Sequence, residues 1–380
     1  MRRTQLAQKL TLSPTKEKLA STSFVVGFDG FIDEIITVVR SRLSHISFEP
    51  IVSIPELSER LLQARDKSMN LELVVTQVKI GGNGPILAEA LTACGIAPTL
   101  IGALGLPKYD PLFMPLIKKC KRVISIANPG HTDALEFSDG KILLGKHHSI
   151  LSIDDHFFRN IPQDTMTAIF DEVDIFASVN WTMILKMTDI WKYLTANIFP
   201  YLSPKKRILF IDLADPAKRS DNDLLAAFEA LIQMKSFFTV ILGLNLAEAE
   251  RIGALYQILR YEDTTQDEEE RLSFLARSIQ EKTALSEVVI HATKCAVHAA
   301  ESGGEVAIKG PYTAHPYLTT GGGDNFNAGF LIGAALDLSP TDCLLMGTAC
   351  SGFYVRNGKS PTLEELIGFL RAWDRNALSP

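Results

Sequence analysis

Apolar residues along the chain fall into two patterns. The first is continuous: "FVVGF" (24–28), "PTLIGAL" (98–104), "DIFASV" (174–179), "RILFIDL" (207–213), "FTVILGL" (238–244) and "EVVIHAT" (287–293), with helix-forming stretches between them. Strands covered on both faces read as uninterrupted hydrophobic runs, so these segments predict a mostly parallel sheet with helices on either side. The second pattern alternates: "EIITVVR" (34–40), "LELVVTQVKI" (71–80) and "TDALEFSDGKILLG" (132–145). Alternation is the mark of a strand with one buried face. In the last segment Ser138-Asp139-Gly140 predicts a hairpin, because Asp-Gly supplies the positive φ angles of a tight turn. These strands predict a small one-sided sheet standing apart from the main one, a flap able to cover a site.

Composition narrows the class. With 380 residues, 46% of them hydrophobic, the chain can bury a large core as two domains or as one α/β domain with an appendage. The net charge is −6, from 38 basic and 44 acidic side chains without a basic block, which argues against nucleic acid as a partner. The five cysteines, at 94, 120, 295, 343 and 350, form no Cys-x-x-Cys pair, so neither a disulfide framework nor a zinc site is expected. No run reaches the ~18 apolar residues of a membrane span, and the N-terminus lacks a signal-peptide core. A cytoplasmic protein with no membrane partner is expected. The charged piece at 260–272 reads as a solvated loop leading into a helix.

The chemistry is concentrated in "LTTGGGDNFNAGFLIGAALDL" (318–338). Gly321, Gly322 and Gly323 lack side chains that would cover their N–H groups, and the helix that follows adds unpaired N–H donors and the positive end of its dipole. This is an anion hole suited to a phosphoryl group in transit. A carboxylate at Asp324 repels a resting phosphate but can accept the proton of an attacking hydroxyl. Asp324 reads equally well as an ordinary N-cap after a glycine turn.

Three further stretches carry candidates. In "KIGGNGPILAEALTACGI" (79–96) a strand ends at Gly81, Gly82 and Asn83 before a helix, which lets the Asn83 amide meet a polyhydroxylated ligand; the same stretch is also common turn punctuation. In "VVGFDGFIDEI" (25–35) Asp29 and Asp33 follow the carboxyl end of a buried strand, where open α/β sheets bind ligands; the alternative is a pair of solvated turn acids. In "VILGLNLAEAERI" (240–252) the spacing of Asn245 and Glu248 is that of a capping box, and it also suits a glutamate holding hydrated Mg²⁺ beside nucleotide phosphates. His147-His148 beside the hairpin reads as a surface pair, and Trp181 as core.

Together these segments resemble the ribokinase-like (PfkB) carbohydrate kinases. "GGGDNFNAGF" after two threonines is similar to the family's C-terminal signature, "GGNG" to its N-terminal one, "GFDGFIDEI" to its sugar-binding strand and "NLAE" to its Asn-x-x-Glu motif, in the family's order from about Phe24 to Gly358. The resemblance implies a three-layer αβα fold with a β lid, and transfer of the ATP γ-phosphoryl group to a hydroxyl of a small carbohydrate or, alternatively, a nucleoside. A sensor that binds without turnover is the reading from another class. By resemblance, residues 1–22 are an N-terminal extension and 23–380 the kinase domain, with lid strands at about 31–40, 71–80 and 131–146. Asp324 is the implied base and Gly321, Gly322 and Gly323 the anion hole. Asp29, Asp33, Gly81, Gly82 and Asn83 are implied to bind the acceptor, and Asn245, Glu248, Thr293 and Asn327 the nucleotide and its phosphates, with Glu248 holding Mg²⁺ through water. A homodimer through the lid is a further expectation.

Three places depart from the family pattern. Ile86 stands where many members carry a second asparagine. His291, Thr293 and Ala296 stand in a segment that usually reads Thr-x-Gly…Gly. Leu318 occupies the place of an acid that in many relatives helps hold potassium; a leucine offers no oxygen, so indifference to potassium is expected.

Overall fold

In the computed structural model residues 1–258 and 267–378 are described. The expected solvated loop at 260–272 falls largely outside them, and the helix Glu268–Thr283 follows.

The continuous apolar runs form the main sheet. Its strands are β1 (Phe24–Gly27), β5 (Thr99–Gly102), β6 (Arg122–Ser125), β9 (Ile175–Val179), β10 (Ile208–Asp212), β11 (Thr239–Asn245), β12 (Glu287–His291), β13 (Cys295–Ala300) and β14 (Glu305–Lys309). Their order is β14-β13-β12-β11-β10-β9-β1-β5-β6, parallel from β12 to β6 and antiparallel at β13 and β14. One face is covered by a core that includes Met187, Trp191, Phe228 and Ile279, the other by a core that includes Leu87, Leu331, Met346 and Leu370. The result is the three-layer αβα architecture. Trp181, wholly buried, belongs to the first core. Residues 1–22 pack into the second: the helix Arg2–Leu10 buries Leu6, Ala7 and Leu10 there.

The alternating segments form a separate sheet of β2 (Phe31–Arg42), β3 (Phe48–Pro50), β4 (Leu73–Gly81), β7 (Gly130–Phe137) and β8 (Gly140–Lys146). Period-two alternation explains its two faces. Phe31, Asp33 and Ile35 of β2 point into a cavity with Thr132, Ala134 and Leu143, whereas Ile36 and Val38 join Ile51, Leu57 and Leu135 in a small core of their own beneath the helix Ile54–Gln63. Phe31 pairs with Gly81 on one side and Gly130 on the other, so β2, β4 and β7 all meet the body of the protein at one row.

No helix among the described residues is long and apolar enough to cross a membrane.

Candidate active site

The site lies along the carboxyl ends of the parallel strands. Asp29 follows β1, Asn180 follows β9, Asp212 ends β10, Asn245 ends β11 and His291 ends β12. Because these strands are neighbours in the sheet, residues far apart in sequence form one line of polar groups, as expected for an open α/β sheet.

Three cavities join end to end on this line. The first, of about 380 Å³, is walled by Asn245, His291, Thr293, Ala296, Gly322, Gly323 and largely apolar neighbours such as Val355. The third, of about 200 Å³, lies under the lid and is lined by Asp33, Gly82, Asn83, Thr132, Lys141 and His147 among others. Between them is a gap of about 280 Å³ that shares Asn245, His291 and Gly323 with the first and Asp33, Gly82, Asn83 and Thr320 with the third. Asp324, Glu248 and Asp212 face this gap.

The glycine turn is built to leave N–H groups open. Gly321 caps the helix Gly322–Ala335 at φ +93°, and a Cβ there would stand 2.6 Å from the Tyr354 hydroxyl. Both facts exclude a side chain. Tyr354 Oη in turn donates to the Thr320 carbonyl at 2.9 Å, and the N–H groups of Tyr317 and Leu318 reach the Val355 carbonyl. The N–H of Gly322 bonds Thr319, but those of Gly323 and Asp324 have no backbone acceptor among the described residues. These are the orphan donors of a helix start, facing the gap.

The carboxylates around the gap are crowded. Burial pushes Asp324 well above the usual carboxylate range, with Asp212 repelling its charge and the Asn83 side-chain amide, which donates to it at 2.8 Å, opposing the shift. Asp212 is raised to about 8, first by burial and then by Glu248, although the Ala214 N–H and the Asn327 amide stabilise its charge. Burial also raises Glu248, whose oxygens accept from the N–H groups of Asn245 and Asp215. The capping box is therefore real, and its glutamate still reaches the gap. His291 stacks on Phe326 at 4.7 Å between ring centroids, and burial lowers its pKa to about 4, which leaves the ring neutral.

Under the lid, Asp33 sits directly across from Lys79 on β4 and Thr132 on β7. Burial raises its pKa, and the Thr132 hydrogen bond, Lys79 and Lys141 oppose the rise.

Four sequence expectations are corrected. Asp29 is wholly buried and does not face the acceptor cavity: it accepts from the N–H groups of Asn83 (2.9 Å) and Gly84 (2.7 Å) and from the Asn180 amide (2.6 Å), so it holds the start of the helix Asn83–Ala93. Burial lifts its pKa to about 6 against those three donors. Gly81 is not among the residues lining the cavity under the lid; it makes room for Asp33, whose carboxylate lies 2.4 Å from where a Cβ would stand. Asn327 is buried behind Asp212, 2.7 Å from its carboxylate, and is not among the residues lining the 380 Å³ cavity. His147 is half-buried against Phe31 inside the cavity under the lid, whereas His148 is exposed. Sequence reasoning missed Asp212, Asn180, Lys141 and Tyr354. Asp212 and Asn180 had a readable signal: each stands at the end of a buried run, as Asn245 does.

A doubly covered sheet, a β lid over one end of the strand tips, and a glycine-started helix with a carboxylate at its mouth define the ribokinase-like carbohydrate kinases, ATP-dependent phosphotransferases acting on a sugar hydroxyl. The sequence matches the profile of the prokaryotic ketohexokinases over residues 4–373, and the chain belongs to that family. It is 26% identical over 358 residues to a ketohexokinase of Haloferax volcanii, spanning 93% of this chain and 92% of that protein. Among solved structures the fold is similar to a ribokinase of Thermotoga maritima (TM-score 0.61, 16% identity, 92% of this chain and 99% of that one). It is also similar to a variant of phosphofructokinase-2 from Escherichia coli (TM-score 0.63, 13% identity, 93% and 99%).

Proposed function

We propose that this sugar kinase takes a ketohexose as acceptor, and that Asp324 removes the proton from the hydroxyl that attacks the γ-phosphorus. The reading is carried by the continuity of the three cavities, in which Asp324 stands in the middle gap between a donor chamber and a chamber under the lid. Asp33, Gly82 and Asn83 would hold the sugar, since a carboxylate and an amide both suit vicinal hydroxyls. Asn245, Thr293 and the apolar wall would hold ATP, and the open N–H groups of Gly323 and Asp324 would meet the phosphoryl oxygens as charge develops.

The residues around Asp212 and Glu248 fit Mg²⁺. Both carboxylates are buried, Glu248 raises the pKa of Asp212, and each of their four oxygens already accepts one protein hydrogen bond, which suits water-mediated rather than direct ligation. When bound, Mg²⁺ supplies neutralisation of the triphosphate charge. Asn83 orients Asp324 toward the gap, and the raised pKa of Asp324 makes it a stronger base than a solvated carboxylate.

The test is an ADP-release assay with ATP, Mg²⁺ and a panel of ketohexoses, aldohexoses, pentoses and nucleosides, with phosphorus NMR of the product. The highest kcat/KM is expected for a ketohexose. A nucleoside as best acceptor would overturn the assignment.

A further inference from the structure

The gap where phosphate transfer is read to occur contains four carboxylates, Asp33, Asp212, Glu248 and Asp324, and neither it nor the donor chamber has a lysine or arginine among its described lining residues. A triphosphate brought there meets negative side chains on several sides. Helix N–H groups carry only partial charges, roughly half an elementary charge per helix end. Apart from the Mg²⁺ that Asp212 and Glu248 would hold, the described lining of the gap and the donor chamber therefore offers no side chain of full positive charge to the transferred group.

The lid supplies one. Lys141 follows the turn at Ser138-Asp139-Gly140 and reaches back over the site with its side chain 28% exposed. Its ammonium lies 3.0 Å from Thr320 Oγ1 and 3.5 Å from a Glu136 oxygen. Thr320 immediately precedes the Gly321 turn, lines both the gap and the acceptor chamber, and has its carbonyl fixed by Tyr354. A hydroxyl is a neutral partner for an ammonium, and the glutamate contact is long for a charge-assisted bond. Lys141 is thus held at the rim of the anion hole, its described ion pair the long one to Glu136, with Asp33 in the same chamber also feeling its charge. The other two lysines of the acceptor chamber, Lys79 and Lys218, make no described contact with this turn.

We propose that Lys141 is a catalytic residue delivered by the lid: on substrate binding its ammonium exchanges Thr320 for an equatorial oxygen of the γ-phosphoryl group and stabilises the charge that spreads there during transfer. The sugar oxygen forms its bond to phosphorus as the bond to the ADP oxygen breaks. The electron pair leaves with ADP and the hydroxyl proton passes to Asp324. This rests on the reading of Asp324 and the Gly321 turn as the transfer site.

The experiment compares Lys141→Met, Lys141→Arg and Thr320→Val with the parent enzyme, using the best acceptor of the panel and checking each fold by circular dichroism and Tm. Lys141→Met should lower kcat by about 10²- to 10³-fold, the range for a lost transition-state donor, with a much smaller change in acceptor KM. Lys141→Arg should recover a substantial part of kcat. Thr320→Val, which removes the resting contact but leaves the ammonium in place, should cost far less. The Lys141→Met variant should also lose the tight ternary complex of MgADP, aluminium fluoride and sugar. If Thr320→Val matches Lys141→Met, the lysine acts only as a fastener of the turn; if only acceptor KM moves, it is a sugar contact; either result overturns the proposal. Failure of the underlying site reading is separable, because it would show as near-normal turnover in Asp324→Asn.

Discussion

The helices Asn83–Ala93 and Gly322–Ala335 both start from a glycine held at positive φ, +92° at Gly82 and +93° at Gly321, and both open beside the same gap. Their first N–H groups end up with different partners. Those of Asn83 and Gly84 are bonded to the buried carboxylate of Asp29. Those of Gly323 and Asp324 are left without a backbone acceptor among the described residues. One helix start is met by an anion the chain itself provides, and the other stays open, as the anion hole proposed above requires. A glycine turn before a helix therefore says that an anion is welcome; whether the protein has already filled the place is decided by what folds beneath it.

The comparison can be broken first at the carboxylates. Asp324→Asn should lower kcat by about 10²-fold or more with the fold retained, as expected for a positioned base. The base works ionised, so kcat/KM should fall as pH drops through its raised pKa. Asp212→Asn removes the largest charge opposing ionisation of Asp324 and should move that acidic limb to lower pH; an unmoved limb would detach the two groups. At the caps, Gly321→Ala should strain the turn against Tyr354 and cost roughly tenfold in kcat, about 1.4 kcal/mol of barrier. Gly82→Ala, at nearly the same φ, should lower Tm, because its Cβ would press on Asp29 and the Phe31 backbone, and should raise the acceptor KM rather than lower kcat, since Gly82 lines the sugar chamber.

Asp29→Asn sharpens the contrast. An amide turns an N–H donor toward a place where three donors already converge, so about 2 kcal/mol of stability should be lost, read by urea denaturation, while kcat changes far less than in Asp324→Asn. A collapse of kcat with unchanged stability would make Asp29 a ligand contact after all. The smallest effect is expected from potassium. With Leu318 beside the turn, and the turn held by Tyr354 and Val355, kcat at fixed ionic strength should be nearly the same in potassium, sodium and tetramethylammonium.

Much of this architecture was legible in the chain. Strands buried on both faces must be apolar throughout, so β9 to β12 stood out as continuous runs, and strands of a one-sided lid must alternate, so β2, β4, β7 and β8 stood out as well. The Gly321 turn and Asp324 were readable because glycines, acid and helix are contiguous. Asp29 was misassigned because its donors, Asn83 and Gly84, are 54 and 55 residues away, and no local pattern distinguishes an acid that faces a ligand from one that faces its own backbone. Lys141 was silent for the same reason: its partner Thr320 is 179 residues distant, and a lysine after a hairpin turn is ordinary on any surface.

The strands β2, β4 and β7 meet the body of the protein at one shared row, Phe31, Gly81 and Gly130. From that row to Glu136, the cross-strand partner of Lys141, is six residues of β7, roughly 20 Å at ~3.3 Å per residue. On a lever of that length a swing of only about 10° displaces the tip by roughly 3.5 Å, more than the whole 3.0 Å span between Lys141 and Thr320. The lid has a small core of its own, and were it to turn as a stiff plate, a rotation of that size would already part the Lys141 ammonium from Thr320.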